Sequence, residues 1–167
     1  TITYIGNNDV TLQGGATINV DRNYISGANS GNTIVLDNLT MNGGILNVTG
    51  ANSYALRFNG TISLVGDTNV FNPTTATLTL GGVIDDAAGS RALIKEGTGR
   101  LFVANSANTY KGATSVKNGF LQINAGASLG TGKVFVNGGA LSLSSAAQAS
   151  DATMTGGLNL VSQIGTS

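Results

Sequence analysis

The sequence predicts an all-β fold wound as a parallel β-helix, on the basis of its composition, its glycine spacing and its short alternating strands. Glycine accounts for 25 of the 167 residues, about twice the usual share, whereas charged residues account for 10%, against about 25% in an average domain. Glycine suits tight turns that need a positive φ, and Thr, Val and Ile favour pleated strands. We therefore expect many short strands separated by frequent turns.

A repeat becomes visible when a glycine followed by an alternating apolar strand is taken as its marker. The marker glycines are 17 to 22 residues apart, with a mean of about 19: Gly60, Gly82, Gly99, Gly119, Gly139 and Gly157. Each interval holds two or three short strands, which is the content of one coil of a parallel β-helix. The predicted coil is therefore about 19 residues long.

The strands upstream of these markers are spaced less regularly, and a longer loop is expected over Asp21–Gly31. The predicted upstream strands are Val10–Leu12, Ala16–Val20, Thr33–Leu36, Leu39–Met41, Ile45–Val48 and Ala55–Phe58. Further short strands are predicted between the markers, at Ala113–Val116 and Lys133–Val136.

Alternation within the strands predicts which side chains point inward. Pairs such as Leu56 with Phe58, or Leu101 with Val103, share one face of their strand, and stacked coils would join these positions into buried ladders. Burying one Leu or Val stabilises a fold by roughly 1.5 to 3 kcal/mol. The main structural alternative is antiparallel pairing, because the Asn-Gly pairs that begin at Asn42, Asn59, Asn118 and Asn137 suit hairpins as well as corner turns.

Composition also excludes several classes of function. The chain has no Cys and no His, so no disulfide framework, no zinc site of the Cys/His type and no His-based acid–base catalysis is expected. Eight basic and eight acidic residues give a net charge of zero, and no basic stripe is present to bind nucleic acid. No apolar run reaches the roughly 18 residues of a membrane span. We predict no cofactor, no metal site and no membrane insertion by this segment.

Two sequence matches to catalytic sites are interpreted as turns. Gly126–Gly130 spells the G-x-S-x-G nucleophile motif, but no His is available to accept the Ser128 proton. Asp85 and Asp86 are adjacent carboxylates of a kind that polysaccharide-cleaving β-helices use, yet neighbours on a strand point to opposite faces. We expect this pair to mark a solvated turn. No catalytic residue is predicted.

Leu93–Ile123 carries the most specific pattern in the chain. It combines a lysine, a Gly-x-Gly-x-Leu strand, an Asn-Thr-Tyr-x-Gly turn and a Val-x-x-Gly-x-Leu strand, met by Lys95, Gly97, Gly99, Leu101, Asn108, Thr109, Tyr110, Gly112, Val116, Gly119 and Leu121. The segment resembles the autotransporter-associated β-strand repeat (passenger-associated transport repeat) in passenger domains of bacterial type V secretion proteins. Glu96 and Arg100 depart from the family pattern, which leaves their local contacts open.

The resemblance implies an extracellular, right-handed parallel β-helix that is exported through an outer-membrane barrel. We interpret residues 1–167 as one β-helix segment of a larger passenger, flanked by further coils of the same chain. Residues 1–70 would form irregular coils with longer loops, residues 71–145 repeat-like coils, and residues 146–167 a further coil. The resemblance further implies that such repeats assist the secretion and folding of the passenger.

Three functions are compatible with this pattern. The favoured function is that of a non-enzymatic scaffold or stalk, secreted or displayed on the bacterial surface, that supports adhesion. The alternatives are a self-assembling extracellular fibre and, less favoured, a polysaccharide-acting enzyme. Phe102, Phe120 and Phe135 are predicted to face outward and would form an interaction surface if they were contiguous. The partners would be a host surface, a matrix or like chains.

Overall fold

The computed structural model describes residues 8–22, 29–87, 89–144, 147, 152–154 and 161–162. The strands are β1 Val10–Leu12, β2 Ala16–Val20, β3 Thr33–Leu36, β4 Leu39–Met41, β5 Gly44–Gly50, β6 Ala55–Phe58, β7 Ile62–Leu64, β8 Thr68–Pro73, β9 Thr77–Leu80, β10 Ile84–Asp85, β11 Ala92–Lys95, β12 Arg100–Val103, β13 Thr114–Val116, β14 Phe120–Ile123, β15 Val134–Val136, β16 Ala140–Leu143, β17 Ala152–Met154 and β18 Val161–Ser162. In these residues the structure contains no helix of the length and apolarity that a membrane span requires.

The strands build three parallel sheets as the chain winds. The first sheet has the order β1-β4-β7-β10, the second β2-β5-β8-β11-β13-β15-β17 and the third β3-β6-β9-β12-β14-β16-β18. Through β12 the chain visits the sheets in the order first, second, third, and after β12 it alternates between the second and third alone. The predicted parallel β-helix with two or three strands per coil is therefore confirmed, and the Asn-Gly pairs lie at corners. The right hand of the winding stays a prediction.

The earlier coils are longer than the roughly 19 residues predicted from the marker glycines, and the coils upstream of these markers were expected to be less regular. Thr49 pairs with Asn19, 30 residues earlier, and Tyr54 bonds to Asn32, 22 residues earlier on the preceding coil. The two-sheet coils come close to the predicted length, since Ser128 lies 20 residues after its partner Asn108. The predicted mean coil length is too short because the step from Gly82 to Gly99 covers only part of a coil. Gly82 precedes a strand of the first sheet, whereas Gly99 precedes a strand of the third.

Aliphatic ladders fill the interior. In the third sheet, two inward columns of side chains are buried from coil to coil: Leu56, Leu78, Leu101, Leu121 and Leu141 in one, and Phe58, Leu80, Val103 and Ile123 in the other. In the second sheet, Val48 is likewise buried beside Leu46. The predicted inward positions are thus in the core, and their stacking buries a face that a single coil would expose.

One long strand was not predicted from the sequence. β8 contains the chain's only proline, Pro73, as its last residue, and none of the marker glycines precedes this strand. Its register pairs Phe71 with Leu46 on one side and with Lys95 on the other. Other predictions fall on residues that the structure does not describe, namely the strand expected directly after the marker Gly157 and positions 23–28 of the Asp21–Gly31 loop.

Candidate functional site: the corners and turns of the repeat

The family-motif residues lie where one coil meets the next. Leu101, Val116 and Leu121 are buried members of the ladders described above. The polar and glycine residues of the motif lie in two places: at the corner between the second and third sheets, which β11 and β12 form on one coil and β13 and β14 on the next, and on the side of the solenoid that the first sheet no longer covers after β10. At each place, the residues either supply hydrogen bonds or lack a side chain where the stacked coils lie too close to accommodate one.

Lys95 occupies an inward position of the second sheet and is completely buried. Its stem stacks between the coils of Phe71 and Val116, its register partners. Its Nζ donates to the carbonyl oxygen of Glu96, to that of Gly97 at 2.7 Å and to that of Asn118 on the next coil at 3.1 Å. The lysine thereby supplies donors to three corner carbonyls, which would otherwise be costly to bury.

Burial, which disfavours the charged ammonium, lowers the pKa of Lys95 to about 8, and the negative charge of Glu96 acts in the opposite direction. The ammonium is therefore mainly protonated at neutral pH. In that state it has three protons, which matches the three carbonyl acceptors around it.

Glycines close this corner because the backbone of the adjacent coil leaves no room for side chains. Gly97 has a φ of +74° and Gly119 a φ of +59°, both in the left-handed region. A Cβ at Gly99 would lie 2.9 Å from the carbonyl oxygen of Pro73, and one at Gly119 would lie 2.6 Å from that of Gly99 and 2.9 Å from Lys95 Nζ. The motif's lysine and glycines thus form one unit.

Asn108 accepts a hydrogen bond at the edge of the first sheet that a further strand would otherwise accept. β10 is the last strand of that sheet, and the backbone N–H of Ile84 donates to Asn108 Oδ1 at 2.7 Å. Asn108 Nδ2 donates to the carbonyl oxygens of Asn105 at 2.9 Å and Ser128 at 2.6 Å. One buried side chain therefore links three successive coils. The adjacent Thr109 is exposed, and its N–H donates to the carbonyl oxygen of Ile84 at 2.9 Å.

Tyr110 fills the interior beside this edge and is fully buried. Its hydroxyl lies 2.7 Å from Thr114 Oγ1, and burial raises the pKa of Tyr110 while this hydrogen bond lowers it. Gly130 lies against the ring, where an added Cβ would come within 2.8 Å of Tyr110 Cγ. The sequence placed Thr114 in a strand and Gly130 in a turn, but it did not predict that either residue contacts Tyr110.

Gly112 brings the backbones of two coils into direct contact. A Cβ there would collide with the carbonyl group of Arg91 and lie 2.7 Å from Ala92 N. Gly132 stacks on Gly112 in the same way one coil later, with an added Cβ 2.5 Å from its carbonyl carbon. The glycines on this side therefore form a column.

The expectation that Asp85 and Asp86 mark a solvated turn is wrong. Asp86 is buried, with 6% of its surface exposed, and its Oδ2 accepts hydrogen bonds from the backbone N–H groups of Arg91 at 3.2 Å and Lys111 at 2.7 Å. Asp85 belongs to β10 and is half-buried. The Asp86 carboxylate ties two coils together, because the turn that follows β10 needs an acceptor for amides that lack a strand partner.

Glu96 and Arg100, which depart from the family pattern, make surface contacts between coils. Glu96 Oε1 lies 3.0 Å from Lys117 Nζ. The guanidinium carbon of Arg100 lies 5.2 Å from the ring centre of Phe120, within the range of a cation–π contact. Exposed contacts of these kinds contribute up to about 1 kcal/mol each.

The three outward phenylalanines do not share one sheet. Phe102 and Phe120 lie in the third sheet, whereas Phe135 lies in the second. Phe120 is 42% exposed, and the other two are half-buried. The structure therefore does not bring the three rings together into one stripe, and a binding role for any of them stays a prediction. In the part of the chain that the structure describes, no three acidic residues form a cluster suited to a metal ion.

Replacing Tyr110 with Phe is expected to lower the free energy of unfolding by about 1 to 2 kcal/mol, because Thr114 Oγ1 then loses its buried partner. The change is measured by urea denaturation. Tyr54→Phe is the matched control, since its hydroxyl accepts a hydrogen bond from Asn32, which is only partly buried. An equal or larger loss for Tyr54→Phe would contradict this assignment.

Comparison with known proteins agrees with this geometry. Residues 93–123 match the family model described as passenger-associated-transport-repeat. The protein named Adhesin BmaC autotransporter, from Brucella suis biovar 1 (strain 1330), is 40% identical over 115 residues, which are 68% of this chain and 3% of that protein. No solved structure matches the chain. The segment whose lysine, asparagine and glycines join the coils, residues 93–123, is a passenger-associated transport repeat.

Proposed function

We propose that this chain is a non-enzymatic structural segment of an autotransporter passenger, a rigid scaffold that aids the passenger's folding and export and carries adhesive parts at or beyond the cell surface. The observation that supports the proposal is that the polar side chains of the motif form hydrogen bonds within the chain itself. Lys95, Asn108 and Tyr110 all bond to this chain, across or within coils, and so does Asp86, which lies outside the motif. Side chains that are buried and bonded in this way serve the fold and are not available to a substrate.

Stacked coils suit export through an outer-membrane barrel. Each new coil that emerges can pair with the one before it, so that folding proceeds without long-range rearrangement. A chain without cysteine also forms no disulfide-closed loop before transit. The matched relative is named as an adhesin, which supports an adhesive role for the parent protein. Since this chain spans 3% of that relative, the role assigned to this segment is support.

The proposal is tested in cells that export the full passenger. Lys95→Ala removes the donor for three corner carbonyls, whereas Lys117→Ala alters only an exposed pair and is the matched control. We expect Lys95→Ala to reduce the protease-resistant passenger at the surface severalfold and Lys117→Ala to leave it unchanged. Normal display and protease resistance of Lys95→Ala, with the isolated chain destabilised, would contradict a role of this repeat in passenger folding.

Sedimentation analysis distinguishes the scaffold from the fibre, and assays of polysaccharide cleavage distinguish the scaffold from the enzyme. A scaffold predicts a monomer once the flanking coils are restored, whereas end-to-end association of the isolated segment that grows with concentration would favour the fibre. An enzyme predicts the release of reducing ends from polysaccharides and the loss of that release in the double variant Asp85→Asn with Asp86→Asn. We expect no release over a broad panel of substrates.

A further inference from the structure

The chain has four Asn-Gly pairs, and in the pair Asn118-Gly119 the backbone amide is directed at the side chain of the asparagine. The N–H of Gly119 donates to Asn118 Oδ1 across 2.7 Å. The Asn118 side chain is exposed to water, and Gly119 has a φ of +59°. This corner geometry places the Gly119 nitrogen against the side-chain carbonyl group of Asn118, and no Cβ on the glycine hinders its approach.

We propose that Asn118 is a site of spontaneous, water-dependent modification in the folded protein. The Gly119 nitrogen gives its proton to solvent and bonds to Asn118 Cγ, Nδ2 takes up a proton from solvent, the bond from Cγ to Nδ2 breaks, and ammonia leaves. Water then opens the resulting five-membered succinimide at either carbonyl, which gives aspartate or isoaspartate at position 118. A nucleophile held beside its target raises the rate of such an intramolecular step.

Two other Asn-Gly pairs are held in ways that oppose the same reaction. The N–H of Gly60, which follows Asn59, donates to the carbonyl oxygen of Asp37 on the preceding coil at 3.0 Å. The side-chain amide of Asn42 donates to Gln13 Oε1, also on the preceding coil, at 2.8 Å. Both asparagines are exposed to water, as Asn118 is.

Modification at this position would reach the buried corner. The main-chain carbonyl oxygen of Asn118 is one of the three acceptors of Lys95 Nζ. In isoaspartate the peptide bond to Gly119 runs through Cγ, which adds a carbon to the backbone path and turns the former main-chain carbonyl into a free carboxylate, so the corner around the lysine would have to rearrange. The modified chain is therefore expected to unfold at a lower concentration of denaturant than the unmodified chain.

The test follows the conversion of each asparagine in the full chain at mildly alkaline pH. Samples are digested over time, and mass spectrometry with an isoaspartate-specific methyltransferase quantifies the products at positions 42, 59 and 118. In the folded chain, conversion at position 118 should be about tenfold faster than at the other two. In concentrated urea the three rates should converge, because each pair then behaves as a free Asn-Gly peptide.

Asn118→Gln is the control variant, because its longer side chain would have to close a six-membered ring. This exposed substitution should abolish conversion at position 118 and leave the rates at Asn42 and Asn59 unchanged. Conversion at position 118 in the folded chain that is no faster than at positions 42 and 59 would overturn the proposal. Rates that keep the same order in urea would also overturn it, because the preference would then be local in sequence.

Discussion

Gly112→Ala is expected to lower the free energy of unfolding by about 3 kcal/mol or more, although it adds only one methyl group. The new Cβ would collide with the carbonyl group of Arg91 and lie 2.7 Å from Ala92 N. These are backbone atoms of the neighbouring coil, which cannot rotate away as a flexible side chain can. The two coils would have to separate locally, and the hydrogen bonds between them would lengthen. Chemical denaturation followed by circular dichroism measures the loss.

Gly15→Ala is the matched control for this prediction. A Cβ at Gly15 would meet only the carbonyl oxygen of Ile45, at the ordinary contact distance of 3.9 Å. We expect a change within about 1 kcal/mol of the wild-type chain, since alanine also restricts the unfolded chain. Similar losses for the two variants would show that the proximity of coils at Gly112 does not determine stability.

Lys95→Ala is expected to destabilise the chain by about 3 to 5 kcal/mol. The variant loses the buried stem between Phe71 and Val116 and leaves three corner carbonyls without their donor. Lys95→Met keeps most of the stem, so that the difference between the two variants separates packing from hydrogen bonding. If Lys95→Met were as stable as the wild-type chain, the ammonium would contribute nothing to the corner.

The pH dependence of stability gives a second test of Lys95. Its pKa is about 8 in the folded chain, against 10.5 for an ordinary lysine. Between these values the unfolded state binds the proton that the folded state has released, so this group makes stability rise with pH, by at most about 1.4 kcal/mol per unit. Below pH 8 both states are protonated, and the contribution to the slope disappears.

This pH effect is measured as the difference between wild type and Lys95→Met from pH 7 to pH 10. The upper limit is chosen because burial raises the pKa of Tyr110, which makes stability fall above the ordinary tyrosine pKa of 10.0. We expect the wild-type chain to gain stability relative to Lys95→Met above pH 8. Parallel curves for the two proteins would contradict the depressed pKa of Lys95.

Strand positions were predictable from the sequence because they depend on local alternation. Inward pairs such as Leu101 with Val103 recur with the same period in each strand, and burial enforces that register. β8 was missed because its inward face carries Asn69, Phe71 and Pro73, a set without a simple aliphatic alternation. The glycine spacing approximated the period of the later coils but could not reveal that the earlier coils visit a third sheet.

The motif residues were identified from the sequence, but their roles were not. Lys95 caps a carbonyl of Asn118, and Asn108 bonds to Ile84 and Ser128, all on neighbouring coils and far away in sequence. Such contacts depend on which residues of neighbouring coils lie on top of one another. A local sequence pattern does not contain that information. For the same reason Asp86 was expected in water, although its partner Lys111 lies on the next coil.

Successive coils stack in parallel and in register, and distances between spin labels test this stacking most directly. The natural chain has no cysteine, so Val35→Cys with Ser142→Cys carries labels at these two positions alone. Both sites lie on one outward column of the third sheet, Val35 paired with Arg57 and onward through Thr79, Phe102 and Gln122 to Ser142.

Five steps of about 4.8 Å place the backbones of Val35 and Ser142 about 24 Å apart. The pair Thr79→Cys with Ser142→Cys spans three steps, and its backbones should be about 14 Å apart. Pulsed electron paramagnetic resonance should give narrow distance distributions whose means differ by about 10 Å. Equal distances for the two pairs, or a shorter distance for the pair that is farther apart in sequence, would contradict the stacked solenoid.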